Sequence, residues 1–391
     1  MFKIRTYDNI SPEGLAVFPL DRYETASETP HPEGIMVRSS KLHDLEFPET
    51  LLAIARAGVG VDNIPLERCT KKGIAVFNTP GANANAVCEL VLSAMLLSSR
   101  RLAQGMAFCQ TLKGSAEEVS KASEKGKKNF GGQELLGRTL GVVGLGAIGG
   151  RVANAAMGLG MKIIGFDPWL SVENALQLPR EIVRTEYLQE LVQKSDYITL
   201  HVPLFDNTKN LIGEAALKNG RPGVRILNFS RDGIVDNEAV LKAIAAGKVA
   251  CYATDFARPE LLGNDKILCF PHLGASTEEA ERNCAVMAAE HLRGFLEHGN
   301  VAVSVNYPQA VAPRTTSHRL TVFTENVPGM VGKISGLLGA ERLNIAELIN
   351  KSRGEVAYNL IDLDAPCPEG LLAGLRRTPG IIAARVIGGG A

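Results

Sequence analysis

The chain has no CxxC pair. Its cysteines, Cys69, Cys88, Cys109, Cys251, Cys269, Cys284 and Cys367, are scattered along the sequence, which argues against a disulfide framework and against a zinc site. No metal is expected, and most of these residues read as core fillers in a reducing compartment. A charge bias is also missing: 42 basic residues balance 42 acidic ones, and no basic block is long enough to serve as a nucleic-acid footprint. Small anionic ligands must then be held by local charges, and no nucleic-acid partner is expected. Long apolar runs are absent as well. The most apolar stretch, Ala84 to Leu97, contains Glu89 and is followed by Arg100 and Arg101, and the opening MFKIRTYDNI has no apolar signal core. A soluble, cytoplasmic protein without membrane attachment is the expectation. With 391 residues the chain exceeds one ordinary domain, and about two or three cores are expected.

What is present centres on residues 139–168, TLGVVGLGAIGGRVANAAMGLGMKIIGFDP. An apolar strand, a glycine turn, a helix and a second strand ending at Asp167 make a dinucleotide-binding βαβ unit. In it Gly144 allows the tight turn, Gly146 lets the backbone approach a pyrophosphate, Gly149 lets helix and strand pack closely, and the helix N-terminus offers N–H groups to the phosphates. Asp167 lies eighteen residues past Gly149, where an acid binds a ribose 2′-hydroxyl. Pro168 and Trp169 follow it with no nearby arginine, so a 2′-phosphate would be repelled and NAD is favoured over NADP.

Apolar β-type runs then recur at 196–201, 224–229, 249–256 and 267–270, as in a parallel sheet buried on both faces. The N-terminal part carries short strands at 34–38, around 52–57 and at 75–78, and reads as a smaller α/β lobe. Helical segments from about Asn83 to Ala103 and from Ser276 onward bracket the nucleotide lobe, and the run VAVSVNYP is expected to add a closing strand to the first lobe. The expected division is a substrate lobe made of 1–82 and 283–308, a nucleotide domain over 83–282, a Pro/Thr/Ser-rich linker over 309–318, and a third domain over 319–391. The third domain shows strand, helix, strand, strand, helix, strand, a ferredoxin-like βαββαβ pattern.

These features resemble the D-2-hydroxyacid dehydrogenase family, in its shorter form with a C-terminal ACT domain. The resemblance covers essentially the whole chain. It rests on RAGVGVDN (56–63), GLGAIG (144–149), NFSRDGIVD (228–236), PHLGAST (271–277) and TENVPG (324–329). It implies an α/β fold: a Rossmann-type doubly wound parallel NAD domain inserted in a flavodoxin-like α/β substrate domain, plus a ferredoxin-like ACT domain. The implied activity is NAD-dependent oxidation of 3-phospho-D-glycerate, at the entry to serine synthesis. A glyoxylate or hydroxypyruvate reductase is the rival enzyme, and a non-catalytic NAD-sensing protein the rival of another class.

By this resemblance the catalytic groups are Arg231, Glu260 and His272. Oxidising a secondary alcohol needs a base for the hydroxyl proton, and imidazole titrates near neutral pH. Glu260, five residues beyond Asp255, would hold His272 and tune it, with Asp265 as the fallback, and Arg231 would pair with the substrate carboxylate. Further cofactor contacts are implied at Ala147, Ile148, Val202, Pro203, Phe229, Ser230, Asp255, Gly274 and Ala275. His201 reads as a structural residue beside them. Arg38, Ser39, Arg56, Gly58 and Asn83 are the implied substrate residues, and Lys125, Lys127 and Lys128 could add phosphate charge. Asn326 and Asn344 resemble the family's effector pair for L-serine, their amides able to meet an ammonium and a carboxylate. The apolar helix after Asn83 suggests a homodimer, which ACT pairing would extend to a homotetramer.

Overall fold

A computed structural model describes residues 1–388. The chain forms two compact units, one of Met1–Asn83 with the chain from Glu278 on, the other of Ala84–Thr277. In the first unit, strands β1 (Phe2–Thr6), β2 (Tyr23–Ala26), β3 (Gly34–Val37), β4 (Ala53–Arg56) and β5 (Ala75–Phe77) form a parallel sheet in the order β2-β1-β3-β4-β5. This is the flavodoxin-like order, and its switch point lies between β1 and β3. Ile35, Ile54 and Val76 are buried on one face, while Met36, Ala55 and Phe77 meet the helix Glu278–His298 on the other. Burial on both faces explains why these strands are short and apolar throughout.

The closing strand expected over 301–308 does not form. Val301 makes one isolated antiparallel bridge to Ala310. One backbone bond, Val305 N–H to the Val76 carbonyl at 3.0 Å, reaches the edge of β5, and side chains supply the rest: Asn306 accepts from the Val76 N–H at 2.9 Å and donates to the Ile74 carbonyl at 2.9 Å, and the Ser304 hydroxyl donates to the Val76 carbonyl at 2.9 Å.

The second unit holds a seven-stranded parallel sheet. Its strands are β6 (Thr139–Val143), β7 (Lys162–Phe166), β8 (Val183–Arg184), β9 (Tyr197–Leu200), β10 (Val224–Asn228), β11 (Val249–Thr254) and β12 (Ile267–Cys269), in the order β12-β11-β10-β9-β6-β7-β8. The chain moves one way from β6 to β8 and the other way from β9 to β12, so the carboxyl ends of β6 and β9 flank a switch point where doubly wound sheets bind ligands. The helical run after Asn83 is broken. Helix Ala84–Arg100 stops at Arg101, whose φ is +43°, before a second helix, Leu102–Thr111.

The C-terminal part of the first unit is an antiparallel sheet of β13 (His318–Glu325), β14 (Ile345–Arg353), β15 (Val356–Leu363) and β16 (Ile381–Ile387), ordered β14-β15-β13-β16. Helices Met330–Ala340 and Glu369–Arg377 supply Ile334, Leu338, Leu371 and Leu375 to the core on one face of the sheet. This is the ferredoxin-like arrangement of an ACT-like module. On the other face Phe323 and Tyr358 pack with Phe295 and Tyr307. Arg319, 1% exposed, uses every guanidinium N–H in this seam: two bond Asp362, and three bond the carbonyls of His298, Ala312 and Pro313. The segment 309–318 is therefore packed, with Ala310 and Ala312 buried.

Candidate active site

All the residues expected around the cofactor lie at the carboxyl ends of the nucleotide-unit strands. Gly144 follows β6 with φ +88°, a conformation that glycine adopts without steric cost. Gly149 stands so close to the Gly144 carbonyl that a methyl group there would collide with it. Gly146, by contrast, has φ −73° and nothing within 4 Å of where a Cβ would be. It caps the helix Ala147–Gly158, which has no side-chain N-cap, so the first-turn N–H groups at Ala147 and Ile148 are left for a ligand. Asp167, just past β7, accepts N–H bonds from Leu145 and Trp169, each at 2.9 Å, which fixes its carboxylate beside the glycine turn. An open cradle, undonated helix N–H groups and a fixed acid together fit a dinucleotide.

Val202 and Pro203 follow β9, and Phe229, Ser230 and Arg231 follow β10. Buried Asn228 shapes the latter turn: its amide donates to the Arg231 carbonyl at 3.0 Å, and its oxygen accepts from the Ser230 hydroxyl at 3.1 Å. Arg231 is half-buried, with one Nη bonded to the Ser230 carbonyl at 2.7 Å. Gly274 and Ala275 follow β12, with Gly274 buried against Val87 and Asp255. His272 is exposed, its ring edge-on to Phe256 at 5.4 Å.

Asp255, just past β11, is the carboxylate on which the His272 charge acts. Burial raises the Asp255 pKa, and the charge of His272, with a smaller contribution from Arg231, draws it back. Its Oδ1 is buried and has no hydrogen-bond partner among the described residues. Asp255 thus shares its surroundings with the charges of His272 and Arg231. Glu260 lies on the 3-10 turn Pro259–Leu261, where burial of Leu261 turns its neighbour outward, and its Oε1 accepts from the Asn237 amide at 3.2 Å. Asp265 pairs with Arg101 at 3.4 Å. His201 is half-buried, desolvation of its ring pushes its pKa down to about 3, and its Nε2 meets the Thr199 hydroxyl at 2.9 Å, so it stays neutral and structural. A cavity of about 500 Å³ lined by Arg101, Arg225 and Lys266 opens at the amino ends of β10–β12, away from this edge.

The expected substrate residues lie past the carboxyl ends of first-unit strands: Arg38 and Ser39 after β3 at its switch point, Arg56 and Gly58 at the end of β4, and Asn83 beyond β5. Arg38, Ser39 and Ser40 follow β3, and all three N–H groups donate to one oxygen of Asp8, at 3.0, 2.8 and 3.0 Å. Asp8 sits just past β1 with φ +69°; the Ser40 hydroxyl and these N–H groups outweigh its desolvation and hold its pKa down at about 2. The Arg56 Nε donates to the Arg38 carbonyl at 3.0 Å, and its guanidinium lies over Gly58 where a Cβ would intrude. Asn83 has a buried Oδ1 without a hydrogen-bond partner among the described residues. Lys127 pairs with Glu124 on the helical segment 116–130 of the other unit.

Asn326 and Asn344 are not brought together within one chain. Asn326 follows β13 near Gly354, to whose carbonyl its amide donates at 2.9 Å, whereas Asn344 precedes β14 next to Asp364. The helical crossover runs β13 and β14 in the same direction, which puts these positions at opposite ends of the sheet.

Residues 92–276 match the model of the D-isomer specific 2-hydroxyacid dehydrogenase, NAD binding domain. The hydroxypyruvate reductase of Thermotoga maritima is 37% identical over 285 residues, 70% of this chain and 88% of that protein. The chain belongs to the D-isomer specific 2-hydroxyacid dehydrogenase family. Within that family it is also similar to the D-3-phosphoglycerate dehydrogenase of Methanocaldococcus jannaschii, 36% identical over 329 residues, 82% of this chain but only 59% of that protein. Among solved structures, the NAD+-bound 3-phosphoglycerate dehydrogenase of Entamoeba histolytica superposes with a TM-score of 0.61 at 28% identity, covering 78% of this chain and 98% of that one. NAD is accordingly the cofactor of the glycine-loop site. No helix among the described residues is long and apolar enough to cross a membrane.

Proposed function

We propose that the chain oxidises 3-phospho-D-glycerate to 3-phosphohydroxypyruvate, the entry step to L-serine. The observation that carries the phosphorylated substrate is the pair of guanidiniums, Arg38 and Arg56, gathered at the carboxyl edge of the flavodoxin-like sheet. Arg231 holds the substrate carboxylate with its fork of donors and polarises the C2 oxygen. His272 takes the hydroxyl proton. Asp255 keeps a negative charge near the imidazolium that results, the part first assigned to Glu260. NAD, when bound at the glycine loop, supplies the hydride acceptor. The serine-effector reading of Asn326 and Asn344 requires two copies of the ACT-like module, since one copy separates them, and so it goes together with a homodimer or homotetramer.

A hydroxypyruvate or glyoxylate reductase is the second reading, favoured by the high coverage of the Thermotoga maritima relative. Steady-state rates with NADH separate the two. The proposal expects kcat/KM for 3-phosphohydroxypyruvate to exceed that for hydroxypyruvate and glyoxylate by at least about tenfold, roughly the value of one charge-assisted contact. Equal efficiencies would establish the reductase instead.

A further inference from the structure

We propose that Glu281 is an internal competitor for Arg38, which an anionic substrate tail must displace and an uncharged tail leaves in place. The proposal rests on Arg38 acting as a phosphate residue. Glu281 lies in the first turn of the helix Glu278–His298, and its Oε1 stands 2.7 Å from an Arg38 Nη. Its place in the cluster is marked by the buried thiol of Cys284 on the same helix. Burial raises that thiol's pKa, while the Thr79 hydroxyl and then the charges of Arg38 and Arg56 lower it and Glu281 raises it. Two guanidiniums and one carboxylate therefore share one neighbourhood.

The loop offers an incoming anion little else. The N–H groups of Arg38, Ser39 and Ser40 already end on Asp8, so the backbone donors that would form an anion nest are satisfied internally. What remains is Arg38's guanidinium, and Glu281 occupies part of it. Side-chain exposures of 33% for Arg38 and 42% for Glu281 make the pair a semi-exposed one, loose enough to exchange partners. A phosphate dianion carries more charge than the carboxylate it displaces and gains by the exchange. A hydroxymethyl tail has no charge to offer and leaves the pair intact. Glu281 thus weakens phosphorylated ligands selectively and narrows their advantage over unphosphorylated ones.

The test is calorimetric titration of the NAD-loaded protein with 3-phosphoglycerate and with D-glycerate, for the wild type, Glu281→Gln and Glu281→Gln in an Arg38→Gln background. Glu281→Gln is expected to tighten 3-phosphoglycerate by about two- to five-fold, the range of a semi-exposed pair, and to leave D-glycerate where it was. The gain should largely vanish without Arg38, and in steady-state kinetics it should fall on KM and not on kcat. Weaker or unchanged binding of 3-phosphoglycerate, an equal gain for D-glycerate, a gain that persists without Arg38, or no binding in any variant each overturns the proposal. Failure of the substrate assignment shows separately, as wild-type turnover that does not favour the phosphorylated substrate.

Discussion

Replacing Gly146 by alanine separates a cofactor cradle from an ordinary turn. A methyl group at this position meets nothing within 4 Å, and φ of −73° suits any residue. Two small terms then act on stability with opposite signs. Alanine restricts the unfolded chain, a gain of about 0.4–1 kcal/mol, and is a poorer helix N-cap than glycine, a loss of similar size. Stability should stay within about 1 kcal/mol of wild type. Binding should not. If a pyrophosphate approaches this backbone, the added carbon occupies the space its oxygens need, and the Kd for NADH should rise at least about tenfold, or about 1.4 kcal/mol. Gly149→Ala is the contrasting variant, because its methyl group would strike the Gly144 carbonyl, a backbone atom that cannot rotate away. It should cost at least about 1–3 kcal/mol of stability. Urea unfolding and fluorescence titration with NADH read both quantities. A Gly146→Ala protein that binds NADH like wild type would refute the cradle.

Other expectations follow from the same contacts. Arg319→Met removes a guanidinium whose N–H groups are all used and strands a buried Asp362, so unfolding in urea should show a loss of about 3–5 kcal/mol and the segment around 309–318 should become sensitive to protease; a loss below about 1 kcal/mol would contradict this seam. Asp255→Asn should lower kcat/KM by roughly a hundred-fold or more, whereas Glu260→Gln should change it by less than about threefold, since an exposed side chain bonded to Asn237 contributes little. The reverse order would restore Glu260 as the histidine's partner.

Strands buried on both faces were legible because an apolar run of that length admits few other fates, and the fingerprint was legible because glycine spacing encodes backbone approach. The first two strands were not. Phe2–Thr6 mixes Lys3 and Arg5 with its apolar residues, and Tyr23–Ala26 is an edge strand with one buried side chain. With β1 hidden, Asp8 was hidden too, although an acid just past a strand end is the signal that could have found it. The remaining differences concern placement. Glu260 has the expected spacing from Asp255 and sits exposed on a 3-10 turn that buries Leu261, while Asp255, expected only as a cofactor contact, also feels the imidazole's charge. Side chains that complete a strand edge around a single backbone bond, as Asn306 and Ser304 do, leave no periodic trace in a sequence.

If His272 moves the substrate proton, its loss shows in the rate at which His272→Asn consumes NADH. With 3-phosphohydroxypyruvate saturating, kcat should fall by about 10²–10⁴-fold while NADH still binds, because the glycine loop and Asp167 are untouched. An unchanged kcat would contradict it.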